Sequence, residues 1–499
     1  MKEKNIQTFS TRIGLILSAL GVAVGTGNIW RFPRIVAQSG GTEGAGAFLI
    51  AWISFLFLWS IPLIIAEYML GKRFRKGVIG TIAGAVGNKK GWMGSFIAMV
   101  STAITFFYSV IVGWCIYYFI YTLLSPLPNS TEQAILVWNN FQESNLPFIF
   151  HAIAMLFGAV AIWKGVASIE RVNKILIPTL LVIVLIAVVR ALTLPGAWDG
   201  VAYLFNPQWS QLGNPKIWLN ALTQNAWDTG AGWGLFLTYA IYMKKEYGAT
   251  KNASITAIGN NIVSLLAALM ILGTVFSVLR TEMGMSDAQV LEVMKSSGPA
   301  STGLTFIWMP QLFGKMFLGE PLSILFFLGL TFAGFSSLIA MLELPTRLVV
   351  DTGVNRKKAI LIVVGISYLF GIPSAMSVDF LSNQDFVWGV ALMISGAFVA
   401  FATVKYGVDK LRKEETSLDP NIWDPGKWWN FEMRIFVPIA AVALLIWWLS
   451  LSATVYAPDD WFNPFNPFSV MTCIVQWFGL MIIILSLNKK IVSKIKSGI

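Results

Sequence analysis

The chain has 499 residues, of which 56% are hydrophobic and only 12% charged, with a mean hydropathy of +0.68. A soluble globular chain carries about a quarter charged residues, so this composition excludes one and places the chain in a bilayer. The net charge of +11 does not indicate a nucleic-acid partner, because the basic residues do not form one patch.

Apolar stretches of roughly twenty residues, each able to cross about 30 Å of hydrocarbon as a helix, recur along the chain. Twelve are predicted, at about 12–38, 47–71, 92–125, 146–163, 172–193, 216–243, 252–280, 320–349, 358–374, 384–404, 435–455 and 466–488, numbered spans 1–12. The polar first twelve residues lack a signal-peptide layout, so span 1 is expected to stay in the mature protein. Lysine and arginine follow spans 2, 4, 6, 8 and 10, for example Lys72, Arg73, Arg75 and Lys76 after span 2, whereas 126–145 and 456–465 contain neither. This positive-inside pattern predicts an integral protein of the plasma (inner) membrane with both termini cytoplasmic. Cys115 and Cys473 sit singly inside apolar spans and read as reduced core thiols.

Two spans contain poor continuous helix. In span 1 the run Gly21-Val22-Ala23-Val24-Gly25-Thr26-Gly27-Asn28 carries glycines that each lower helix propensity by about 1 kcal/mol relative to alanine. Taken alone, Gly21 and Gly25 suit a close helix-packing face equally well. In span 6, Trp227-Asp228-Thr229-Gly230-Ala231-Gly232-Trp233 repeats the pattern and adds a carboxylate near mid-membrane depth, which is a functional hypothesis by default. Interrupted spans at corresponding places in two five-span halves point to a transporter site, and an odd repeat unit inserts the second half upside down. Opened backbone at the midplane offers carbonyls to a cation and helix N-termini to an anion.

Arg12-Ile13-Gly14-Leu15-Ile16-Leu17, followed by Gly27-Asn28-Ile29-Trp30-Arg31-Phe32-Pro33, resembles the opening helix of the neurotransmitter:sodium symporter family, which has the LeuT fold. Further matches include Gly40-Gly41 to Phe48, Ile61-Pro62-Leu63 with Glu67, Gly165 to Pro178 with Glu170, Pro195-Gly196, and Phe332 to Ser337. The resemblance implies an all-α membrane protein of twelve transmembrane helices with a five-plus-five inverted repeat and discontinuous helices 1 and 6. The repeats would be 1–195 and 196–410, the second with an outer lid loop at 286–318, and 411–499 would hold two accessory helices and a tail.

The resemblance also implies two Na+ sites. The first would use the Ala23 carbonyl, Asn28, Asp228 and Asn260, with the substrate carboxylate as a further ligand. The second would use carbonyls of Gly21, Val24 and Ala333 with the hydroxyls of Ser336 and Ser337. Taken singly, Asn28 and Asn260 suit interhelical hydrogen bonding, and the serines suit bonding back to their own helix. The substrate site would draw on Val22, Ala23, Thr26, Gly27, Ile104, Tyr108, Trp227, Thr229, Gly230, Trp233, Ser337 and Met341. Gly25 stands where monoamine-transporting members carry an aspartate, so the substrate is expected to bring its own carboxylate: a neutral amino acid, small or medium and aliphatic.

Departures from the family are as informative. Asp228 replaces a usual serine or threonine beside the chloride site of animal members, Trp52 replaces a tyrosine, and Ser264 stands where bacterial members often have a glutamate. Asp228 therefore reads as a fixed charge that makes chloride unnecessary, or as a proton carrier. Arg31 and Asp385 match the outer gate, with snorkelling at a helix end as the bland alternative. Tyr242 and Asp351 match the inner gate, but the family's N-terminal arginine is Ile6, which leaves Lys4 or Arg12 as substitutes. Thr42-Glu43-Gly44-Ala45 is an insertion.

A membrane enzyme is excluded on residue types: His151 is the single histidine, and no nucleophile elbow or phosphate loop is present. The expected function is sodium-coupled import of a neutral amino acid by alternating access. The rival is a transporter-like sensor or channel that does not concentrate its ligand. The sequence leaves the oligomeric state open.

Overall fold

The structure, a computed structural model, describes residues 7–295 and 302–497. Ile6 and Lys4 lie outside the described residues. Hydrocarbon offers no water to backbone groups, so crossing segments close their hydrogen bonds internally as helices. Every expected span has a helical counterpart. Spans 2, 3, 5, 7, 8, 9, 10, 11 and 12 run as Gly46–Phe74, Trp92–Leu124, Val166–Leu192, Ala249–Thr281, Gly319–Asp351, Arg356–Met376, Val378–Tyr406, Gly426–Tyr456 and Val470–Ser497. Span 4 is the shorter helix Leu146–Ile162.

Boundaries moved where polar residues continue a helix. Span 5 starts at Val166, before Glu170, Arg171, Asn173 and Lys174, because its backbone ladder continues although the sequence turns polar. Spans 10 and 12 begin after serines that cap them: Ser377 Oγ accepts from Phe380 N–H at 3.2 Å, and Ser469 Oγ from Thr472 N–H at 3.0 Å.

Burial separates the centre from the rim. The most apolar stretches of spans 3 and 7 are 89% and 78% buried, against 28% and 22% for spans 11 and 12. Spans 3 and 7 are therefore wrapped by protein, and the last two present most of their side chains outward.

Span 1 consists of Arg12–Ala23 and Thr26–Ser39, bent by 50° at Val24 and Gly25. Span 6 consists of Pro215–Asp228 and Leu235–Ala240, with the glycine-rich run between them. Glu170 anchors the start of span 1: its carboxylate accepts from Ser10 N–H at 2.7 Å and Ser10 Oγ at 2.6 Å, and pairs with Lys174 at 2.7 Å.

The segment 42–45, expected as an insertion, docks on the chain between spans 5 and 6. Ala45 N–H donates to Tyr203 O at 2.8 Å, and Asn206 Nδ2 to Glu43 O at 2.9 Å. Between spans 7 and 8, Asp287–Lys295 and Met309–Gly314 flank Phe306, whose ring packs against Trp30, Tyr118 and Trp138 at 6.1, 4.9 and 5.7 Å. Residues 296–301 of the expected lid loop 286–318 lie outside the described residues.

Candidate functional site

The two breaks face each other. At span 1 the first half closes with Val24 N–H on Leu20 O at 2.7 Å, and Gly25 N–H is taken by Asn28 Oδ1 at 2.8 Å. Thr26 N–H then donates to Tyr108 Oη at 3.3 Å. The second half, Thr26–Ser39, thus starts with a positive dipole end at the break, and the first half, Arg12–Ala23, ends there on carbonyls.

At span 6 the chain turns through left-handed glycines, Gly230 at φ +70° and Gly232 at φ +86°. A Cβ on Gly232 would lie 2.8 Å from Gly396 Cα, so position 232 needs glycine for space as well as conformation. The unwound backbone is held by Glu67, fully buried on span 2, which accepts from Gly232 N–H at 2.6 Å and Leu237 N–H at 3.0 Å.

A narrow cavity of about 30 Å³ lies between the breaks and spans 3 and 8. Val22, Ala23, Gly27, Tyr108, Trp227, Gly230, Trp233, Ser337 and Met341 all line it, as do Gly25, Asn28, Asp228 and Leu235. The other expected substrate residues do not line it. Thr26 reaches its edge through Tyr108, with Oγ1 at 3.3 Å from the phenol oxygen. Ile104 is packed into the core, and the Thr229 hydroxyl turns to Asn225 O at 2.8 Å and Ser60 Oγ at 3.1 Å.

At one side of the cavity Asp228 meets spans 1 and 7. Its Oδ2 accepts from Ser264 Oγ at 2.8 Å and Asn28 Nδ2 at 3.3 Å, and Asn28 Nδ2 also reaches Asn260 Oδ1 at 2.9 Å. The other oxygen, Asp228 Oδ1, is buried with no hydrogen-bond partner among the described residues. An unpartnered carboxylate oxygen beside amide and hydroxyl oxygens is a donor set for a small cation.

At the other side, Ser336 and Ser337 of span 8 reach across to span 1. Ser337 Oγ lies 3.2 Å from Gly21 O and 3.3 Å from Val24 O; Ser336 Oγ lies 3.3 Å from Val24 O and 2.9 Å from Ala333 O. Bonding back to the serines' own helix therefore accounts for one contact, and the others are hydrogen bonds that the hydroxyls donate across to span 1 carbonyls. Five neutral oxygens converge on a small volume.

Outside the cavity, the Arg31 guanidinium sits over the Trp227 ring, 4.9 Å from its centroid. Asp385 acts electrostatically on Arg31, but no ion pair within 4.0 Å joins them among the described residues. At the opposite end Tyr242 Oη donates to Glu343 Oε1 at 2.6 Å, and Glu343 pairs with Arg356 at 2.5 Å. Asp351 is held by Arg347 at 2.8 Å and Gly77 N–H at 2.6 Å. Arg12 does not take the place of the missing N-terminal cation, because it donates to Asn252 Oδ1 at 3.2 Å.

The family model for the sodium:neurotransmitter symporter family matches residues 6–146 and 143–494. The chain belongs to this family. An uncharacterized sodium-dependent transporter of Methanocaldococcus jannaschii is 31% identical over 456 residues, covering 88% of this chain and 89% of that protein. The sodium-dependent serotonin transporter of Drosophila melanogaster is 27% identical, over 89% of this chain and 76% of its own. The crystal structure of MhsT in complex with L-phenylalanine superposes with a TM-score of 0.74 at 29% identity, covering 88% of this chain and 99% of MhsT. The protein is thus a sodium-dependent symporter in a membrane and not an enzyme, and its broken spans 1 and 6 are those of a five-plus-five inverted repeat.

Arg347, Glu343 and Arg356, which gather around Tyr242 and Asp351, are not among the residues expected from the sequence. Glu343 carried a usable signal, a carboxylate deep within an apolar span. Arg347 also carried one, since it stands four residues before Asp351 on the same helix; the partner of Arg356 lies 13 residues away across a helix end, and pattern alone does not find it.

Proposed function

We propose that the protein imports a neutral amino acid with two sodium ions by alternating access, with both termini cytoplasmic, and that Asp228 supplies the negative charge that makes chloride unnecessary. The observation that carries this reading is the free Asp228 Oδ1 beside Asn28, Asn260 and Ser264, at the edge of a cavity capped by Thr26 and Tyr108.

In this reading the first sodium takes the Ala23 carbonyl, Asn28, Asp228 and Asn260. The substrate carboxylate completes its shell while facing the dipole end of Thr26–Ser39 and the Tyr108 hydroxyl. Ion and substrate then stabilise one another directly, and that mutual dependence is the coupling. The second sodium takes Gly21, Val24, Ala333, Ser336 and Ser337. Absence of a side chain at Gly25 supports a substrate that brings its own carboxylate: a Cβ there would approach Ser337 Oγ at 2.9 Å and Tyr108 Oη at 3.0 Å. MhsT, seen with L-phenylalanine, supports an amino acid over an amine.

Concentrative uptake tests this against a channel or sensor. Proteoliposomes with an inward sodium gradient are expected to accumulate one or more of the twenty radiolabelled amino acids above equilibrium, unchanged when gluconate replaces chloride. Mere equilibration, or binding without entry, would replace the symporter reading.

The Arg347, Asp351 and Gly77 cluster, with Tyr242, Glu343 and Arg356 beside it, serves as the cytoplasmic gate in this reading. The cation that closes it comes from span 8 itself. Breaking a buried pair by removing one partner costs about 3–5 kcal/mol. Arg347→Ala is therefore expected to raise hydrogen exchange over residues 9–23 by at least about tenfold; unchanged exchange would remove Arg347 from the gate.

A further inference from the structure

Resting on the reading of the second sodium site above, we infer that the Asn173 carboxamide is a further oxygen donor to that site and extends it from spans 1 and 8 onto span 5. Asn173 is fully buried in Val166–Leu192 beside Ile169, Leu176, Ile177 and Leu180, one turn beyond the buried Glu170. Neither its Oδ1 nor its Nδ2 has a hydrogen-bond partner among the described residues. A carboxamide in such a position is rare, because buried polar groups are almost always paired and no lipid group can pair this one.

Its direction is set by Gly21. A Cβ built on Gly21 would lie 2.9 Å from Asn173 Oδ1 and 3.3 Å from Ser336 Cβ, so amide and serine pack on the same side of that glycine. The Gly21 carbonyl in turn accepts from Ser337 Oγ at 3.2 Å. Glycine at 21 is what lets the amide come against the span 1 backbone, one residue from the carbonyls that lead into the break. Three carbonyls and two hydroxyls make five oxygens, a sodium ion accommodates a sixth, and a neutral amide oxygen on a short rotor can supply it without adding charge that would trap the ion.

The test is a titration of radiolabelled sodium binding to the purified full-length protein, with choline as replacement cation. Asn173→Leu, close in volume and without an oxygen, is expected to weaken the second-site affinity about tenfold, the worth of one good polar contact. Asn173→Asp keeps an oxygen and is expected to stay within about threefold of the parent or bind more tightly. Asn173→Ala answers the same question should the leucine variant not fold. Ser336→Ala and Ser337→Ala run alongside: if neither weakens sodium binding, the second-site reading itself fails. If they weaken it and the Asn173 variants all match the parent, only the role of Asn173 is overturned.

Discussion

Asp228→Asn is expected to abolish sodium-driven uptake while the protein still folds and reaches the membrane. The substitution keeps the shape and most of the hydrogen bonds to Ser264 and Asn28, so the helix packing around it has little reason to change. What it removes is the charge behind the unpartnered Oδ1. A charged contact is worth about 1.5–3 kcal/mol, so sodium affinity at this site should fall about 10- to 100-fold. Chloride separates the possible outcomes. If Asp228 is a fixed surrogate charge, the parent is indifferent to chloride, and chloride partly restores sodium binding to Asp228→Asn. If Asp228 instead carries a proton, chloride restores nothing, and uptake by the parent changes when a protonophore collapses the pH gradient. Strong chloride dependence of the parent would remove the surrogate charge altogether.

Glu67→Ala is expected to have the second large effect, on stability and transport together. The unwound stretch of span 6 has amide groups that neither helix half can satisfy, and hydrocarbon supplies no water for them. Glu67 takes two of them, from Gly232 and Leu237, at the start of the helix Leu235–Ala240. Each amide left bare costs about 1–3 kcal/mol, so the variant should melt several degrees lower in detergent. Uptake should fall at least about tenfold, since the cavity wall formed by Gly230 and Trp233 loses its support. Glu67→Gln retains one acceptor and should fall between. A Glu67→Ala protein with parental melting and uptake would show that the break holds its shape without this carboxylate.

The twelve spans and both breaks were legible in the sequence because hydropathy and glycine spacing are local properties, and a bilayer forces apolar local segments into helices. Of the residues gathered around the cavity, Val22, Ala23 and Asp228 stood out through the glycine-rich runs that hold them, whereas Tyr108 from span 3 and Ser337 from span 8 could be named only through the family resemblance. The segment Thr131–Gln142 between spans 3 and 4, expected only as an outer loop, folds as a helix capped by Ser130. Its amphipathic length is too short to register against the strongly apolar spans on either side.

By itself the sequence determined a membrane protein of broken and unbroken helices, with a charge buried where few charges belong. Tertiary structure alone decided which oxygens meet. It turned the Thr229 hydroxyl toward span 2, sent Arg12 to Asn252, brought Gly77 N–H to Asp351, and aimed Asn173 at Gly21. These outcomes depend on the rotation of one helix against another, which shifts a side chain by several ångströms without any change in the pattern along the chain.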